Sequence, residues 1–133
     1  MFKISKQADY GLLFLEQLII LNRTVPLSEV IEKTKLPKRF LARIASILVK
    51  NNLVKSIEGK NGGYQVNYDK IEDLNLYDYL TIFHGDLNLV QCADKKKCNY
   101  QSFCKHQLFF KNVLRQILIN DLKNHQLLEI LKK

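Results

Sequence analysis

Residues 36–64, "LPKRFLARIASILVKNNLVKSIEGKNGGY", decide the fold. Pro37 supplies the fixed φ that opens a helix, and no glycine or proline interrupts the chain from Lys38 to Lys50. Phe40, Leu41, Ile44, Ile47 and Leu48 recur at spacings of three and four, which puts them on one helical face. Arg39, Arg43, Ser46 and Lys50 recur at the same spacings on another. The pattern predicts a helix to about Asn51, with an apolar stripe inward and a cationic row outward. Val54 and Ile57 then lead into a turn, and Tyr64 and Val66 lead out of it. Glu58 to Gly63 between them carry the Gly/Asn chemistry of a hairpin loop. Gly62 and Gly63 are expected to take positive φ and to allow close backbone approach. Lys60 and Asn61 fall at the tip.

Toward the N-terminus, "VPLSEVIEKTK" reads as a short helix opened by Pro26, and "KLP" as a tight turn after it. Two helices joined so briefly form a helix-turn-helix, and a hairpin directly behind it is a wing. Ser5 is a plausible N-cap for a first helix running to about Asn22. That helix is apolar almost all round, which predicts burial on several sides.

Downstream, "DLNLYDYLTIFHG" predicts a helix ending at Gly85. A long helix is expected from about Ser102 to Asn120. Its Leu108, Phe109, Val113, Leu114, Ile117 and Leu118 are more than a lone C-terminal helix can hide, so pairing of two copies is expected. "NHQLLEILKK" predicts a short terminal helix. The expected fold is mainly α with a small β-hairpin wing: a winged helix-turn-helix over 1–70, then a loop (92–104) and a dimerisation helix within 71–133.

Charge points to the same end of the chain. The formal net charge of the 133 residues is +8. Residues 33–60 hold eight Lys/Arg and one acid, Glu58, so nearly all the excess lies there. Concentrated positive charge is the footprint of a nucleic-acid binder. With the two-faced helix and the wing, it selects Lys38, Arg39, Arg43, Ser46, Lys50, Lys60 and Asn61 as contacts to a double-stranded DNA operator. An apolar content of 47% is enough for a packed core, and no apolar run approaches the roughly 20 residues of a membrane span. The opening "MFKISKQADYG" lacks the pattern of a secretory signal, so a cytoplasmic protein is expected. No phosphate loop, nucleophile elbow or cysteine–histidine constellation names a reaction, so no enzyme is expected.

All three cysteines, Cys92, Cys98 and Cys104, lie in "CADKKKCNYQSFC", with five residues between neighbours. Asp94, Lys95, Lys96, Lys97, Asn99 and Gln101 surround them, which is no setting for buried thiols. An odd count argues against a disulfide framework. Soft-metal ligation, redox chemistry and chance are left. Structural zinc loops mostly space their cysteines two to four residues apart, which weighs against zinc. A metal-free thiol switch, helped by lysines that lower thiol pKa, is a further alternative.

The order of winged helix with "GKNGGY" wing, helix, three close cysteines and long apolar helix resembles the IscR/NsrR family of iron–sulfur-sensing transcription regulators. The opening "ISKQADYGL" is similar to that family's start. The resemblance covers essentially the whole chain. It implies a homodimeric repressor that binds DNA through its winged helices and holds a two-iron or four-iron cluster per subunit on Cys92, Cys98 and Cys104. Two positions depart from the pattern. Glu58 stands where the family's wing begins with arginine. In the IscR-type branch the fourth ligand is a histidine three residues after the last cysteine; here that residue is Gln107, and His106 comes one residue early. On a helix one residue is a rotation of about 100°, which would turn His106 away. The NsrR-type branch uses an aspartate near the N-terminus of the partner subunit, and Asp9 matches it. Asp9 is therefore the expected fourth ligand, with His106, another group or an open position as the alternatives, although an acid in a first helical turn is also favoured by the helix dipole. Three thiolates and one weaker ligand suit a sensor of cluster supply, nitric oxide or redox state.

Overall fold

Residues 3–90, 100 and 102–132 are described in the computed structural model. They fall into two compact units: the chain up to Leu74 together with the segment from Gln126 on, and Asn75–His125.

The first unit begins where Ser5 caps helix α1, Lys6–Leu21, its Oγ accepting a hydrogen bond from the Ala8 amide at 3.2 Å. Asn22 ends the helix in the left-handed conformation, one of the few residue types that enter it readily. Helix α2 spans Leu27–Thr34 and helix α3 Lys38–Lys50, each preceded by the expected proline. Phe14, Leu15 and Leu18 of α1 are buried together with Val30 of α2 and Leu41, Ile44 and Leu48 of α3. Burial of α1 is less complete than its composition promised, since Ile20 is 72% exposed.

Strands β1, Val54–Ile57, and β2, Gly63–Val66, pair antiparallel with Val54 opposite Val66 and Ile57 opposite Gly63. Only one of the two expected glycines has positive φ in the hairpin's closing pair. Gly63 sits at +152°, while at Gly62 the constraint is space: an added Cβ would lie 2.2 Å from the Ile57 carbonyl oxygen. A Cβ on Gly63 would lie 2.4 Å from the carbonyl oxygen of Val25. The reason is a feature absent from the sequence pattern. Tyr64 bridges Val25 through two backbone hydrogen bonds of 2.8 and 2.9 Å, so β2 has a second neighbour just ahead of α2. The glycines thus serve close approach within the protein and fasten the wing to its helices. The Tyr64 ring completes this by meeting Phe14 edge-on at 5.7 Å.

A four-residue helix α4, Tyr68–Ile71, follows and buries Ile71; it is too short for its periodicity to be legible. Helix α7, Leu127–Leu131, belongs with this first unit and not with the segment before it, because Leu127 and Leu131 are buried and the Leu127 amide donates to Leu74 O at 2.9 Å.

In the second unit helix α5, Leu76–His84, is capped by Asn75 and ends at Gly85 as expected. The second helix starts later than expected, at 107, and is not α throughout. Phe109–Leu114 form a π-helical segment that runs straight into α6, Arg115–Lys123. Arg115 Nε donates to Leu87 O at 2.7 Å, tying the segment after α5 to this helix. No helix among the described residues is long and apolar enough to cross a membrane.

Candidate nucleic-acid interface and cysteine site

The outward row of α3 follows from its inward one. Leu41, Ile44, Ala45 and Leu48 are buried, and at about 100° per residue the opposite arc carries Arg39, Ala42, Arg43, Ser46 and Lys50, with Lys38 in the first turn at the edge of the buried face. All six are exposed. No acidic residue occurs anywhere in the helix, so nothing on it neutralises or repels an approaching polyanion. Lys60 and Asn61 are exposed in the turn between β1 and β2, with Glu58 exposed beside them. Every residue that the sequence selected for DNA contact is thus on the surface of the first unit, four in the outward row of α3, Lys38 in its first turn and two on the wing. The selection missed Ala42, which shares the row by the same spacing but carries no polar group to draw attention.

Of the cysteines, only Cys104 is among the described residues; Cys92 and Cys98 lie outside them. Cys104 is a free, half-buried thiol. Its Sγ is 3.7 Å from His106 Nδ1 and 3.5 Å from Nε2. Both ring nitrogens are thus within hydrogen-bond reach of the sulfur, with donor and acceptor set by the tautomer of the ring. The expected rotation of His106 away from the thiol does not occur, because residues 104–106 precede the helix and the helical angle does not apply to them. The ring also meets Phe110 edge-on at 6.1 Å.

Gln107 is turned inward. It is 8% exposed, its Nε2 donates to Cys104 O at 3.3 Å, and its Oε1 accepts from Lys111 Nζ at 3.4 Å. It therefore pins the backbone of Cys104 and is not free to ligate. Asp9 is exposed in the first turn of α1, in the other unit, and its carboxylate makes no ion pair among the described residues. No group of three or more His, Cys, Asp or Glu side chains poised for a metal occurs among the described residues, which contain one of the three thiols.

Comparison with known proteins bears on the whole chain. The sequence model of the Rrf2 family, described as an iron-dependent transcriptional regulator, matches residues 4–133. The transcriptional regulator IscR of Serratia proteamaculans is 26% identical over 109 residues, which cover 77% of this chain and 66% of IscR. The chain spans between half and two thirds of the length of the curated relatives it matches. Among solved structures, CymR of B. subtilis, titled the global cysteine regulator, superposes with a TM-score of 0.73 at 22% identity, covering 99% of this chain and 98% of CymR. IscR of T. potens superposes with a TM-score of 0.65 at 22% identity, covering 98% of this chain and 87% of that one. These likenesses establish the winged-helix architecture, and the relatives are regulators of transcription, not enzymes. The chain belongs to the Rrf2 family of transcriptional regulators.

Proposed function

We propose that this regulator binds operator DNA as a homodimer and carries an iron–sulfur cluster on Cys92, Cys98 and Cys104, acting in the cytoplasm as a repressor whose grip on DNA depends on the cluster. The observation that carries the cofactor assignment is the set of three evenly spaced cysteines in a polar segment behind a winged helix. The structure is compatible at the one position it describes: Cys104 is an accessible thiol, unpaired in any disulfide, with its backbone held by Gln107. When bound, the cluster supplies an oxidisable, nitric-oxide-reactive centre.

The fourth ligand in this reading is Asp9 from the partner subunit. Its carboxylate is exposed and has no ion-pair partner to give up among the described residues. His106 is the competitor, because its Nδ1 and Nε2 lie 3.7 and 3.5 Å from Cys104 Sγ. DNA is held by Arg39 and Arg43 at base edges, by Lys38, Ser46 and Lys50 along α3, and by Lys60 and Asn61 from the wing. Dimerisation is supported by Leu108, Phe109, Val113 and Ile117, which are 63%, 49%, 49% and 55% exposed in the single chain.

Anaerobic purification with a visible spectrum and counts of iron, sulfide and zinc per chain tests the reading. A brown protein containing iron and sulfide is expected. A colourless protein holding zinc, or holding no metal, overturns the cluster and leaves a zinc-bearing or thiol-switched winged helix.

A further inference from the structure

The exposed row of α3 has an unusual chemical composition. It offers two guanidinium groups, one ammonium group, one hydroxyl and one bare methyl, that of Ala42, with the Lys38 ammonium in the first turn beside it. The helix contains no Asn, Gln, Asp or Glu. The next amide in the chain, Asn51, is turned back: its Nδ2 donates to Ile47 O at 2.8 Å. In the major groove adenine is read in two-point fashion by Asn or Gln, and cytosine by a carboxylate. Neither group is available on this helix. What the row can read with base selectivity is guanine, through Arg39 or Arg43, and the 5-methyl group of thymine, through an apolar side chain; the Ser46 hydroxyl both donates and accepts and selects no one base.

Ala42 is the fifth residue of α3, one turn after Lys38 and Arg39 and beside Arg43. Recognition helices present their N-terminal part to the bases, so this methyl enters the groove at the same depth as the arginines. A surface alanine elsewhere has water as its neighbour and no consequence. Here it is the one apolar contact among groups that all carry charge or a hydroxyl.

We propose that Ala42 is a specificity-determining residue that packs its methyl against a thymine 5-methyl group, so that the half-site read by α3 presents guanine and thymine edges. This rests on the reading that α3 enters the major groove.

The test begins with selection of duplexes from a randomised library by the purified full-length protein. Each thymine of the enriched half-site is then replaced singly by uracil, which removes only the methyl group. One position is expected to lose affinity about fourfold, the effect of one buried methyl-sized contact. Ala42→Gly should bind the thymine and uracil duplexes equally. Ala42→Gln, which keeps helix propensity, should shift the preferred base at that position from thymine to adenine. Enriched duplexes with no uracil-sensitive position, or a uracil effect that persists in Ala42→Gly, overturn the inference while leaving DNA binding intact. No enrichment of any sequence overturns the DNA-binding reading, and this inference with it.

Discussion

At Cys104 the chemistry rests on a single atom, the sulfur of a half-buried residue with a nitrogen of His106 3.5 Å away. Cys92→Ala, Cys98→Ala and Cys104→Ala should each lose most bound iron while the far-ultraviolet circular dichroism stays that of the wild type. Iron kept at the wild-type level in all three would contradict the ligand set. Asp9→Ala should retain the thiolate-dependent colour yet lose the dependence of DNA affinity on iron, and His106→Ala should keep it. The reverse pattern would reassign the fourth position to His106. On α3, Arg39→Ala or Arg43→Ala should cost about 1–3 kcal/mol of operator binding and relax preference at one base pair. Lys60→Ala should weaken all sequences alike and flatten the salt slope by about one unit. Titrating each variant against salt on two unrelated duplexes separates these outcomes. The α3 residues were legible because spacings of three and four fix which side chains face out. The place of His106 was not, because its segment is irregular and carries no period.

At the scale of elements, proline openings and the Ser5 cap located the first three helices to within a residue or two, and the Gly85 stop located the end of α5, whose start lies three residues later than read. Each is a local backbone constraint and so is written locally. The bridge from Val25 to Tyr64 joins residues far apart in sequence and leaves no such mark. It explains the glycine next to Tyr64, and it makes a prediction. Gly63→Ala adds a Cβ 2.4 Å from Val25 O at a φ of +152°, whereas Gly59 has φ +112° but nothing within 4 Å. Thermal or denaturant unfolding should show Gly63→Ala destabilised by about 2–4 kcal/mol and Gly59→Ala by about 1–2 kcal/mol. Equal losses would mean that backbone strain alone, and not the fastening of the wing, sets the requirement. The π segment was likewise illegible: its apolar residues also fit the i, i+4 pattern of an ordinary helix, and only the observed hydrogen bonding distinguishes the two.

For the molecule as a whole, the basic stretch 33–60 and the exposed apolar residues between Leu108 and Ile117 are separate in the chain, and both are visible in the sequence. It did not show that α7 returns to the first unit, since five residues carry too little pattern to say what they pack on. Val113→Lys with Ile117→Lys alters side chains already about half exposed, so the single chain should fold unchanged. Sedimentation should show a dimer for the wild type and a monomer for the double variant; a dimer in both would move the interface elsewhere. Loss of the dimer should also cost operator affinity, because paired half-sites are read by paired helices. If the proposed cluster and the DNA site are energetically coupled, the affinity of the same selected duplex, measured anaerobically and at one salt concentration, should differ between the iron-loaded and the iron-free protein. A difference of about 5- to 150-fold is expected, the usual range of coupling between two sites. Equal affinity of the two forms would contradict the coupling.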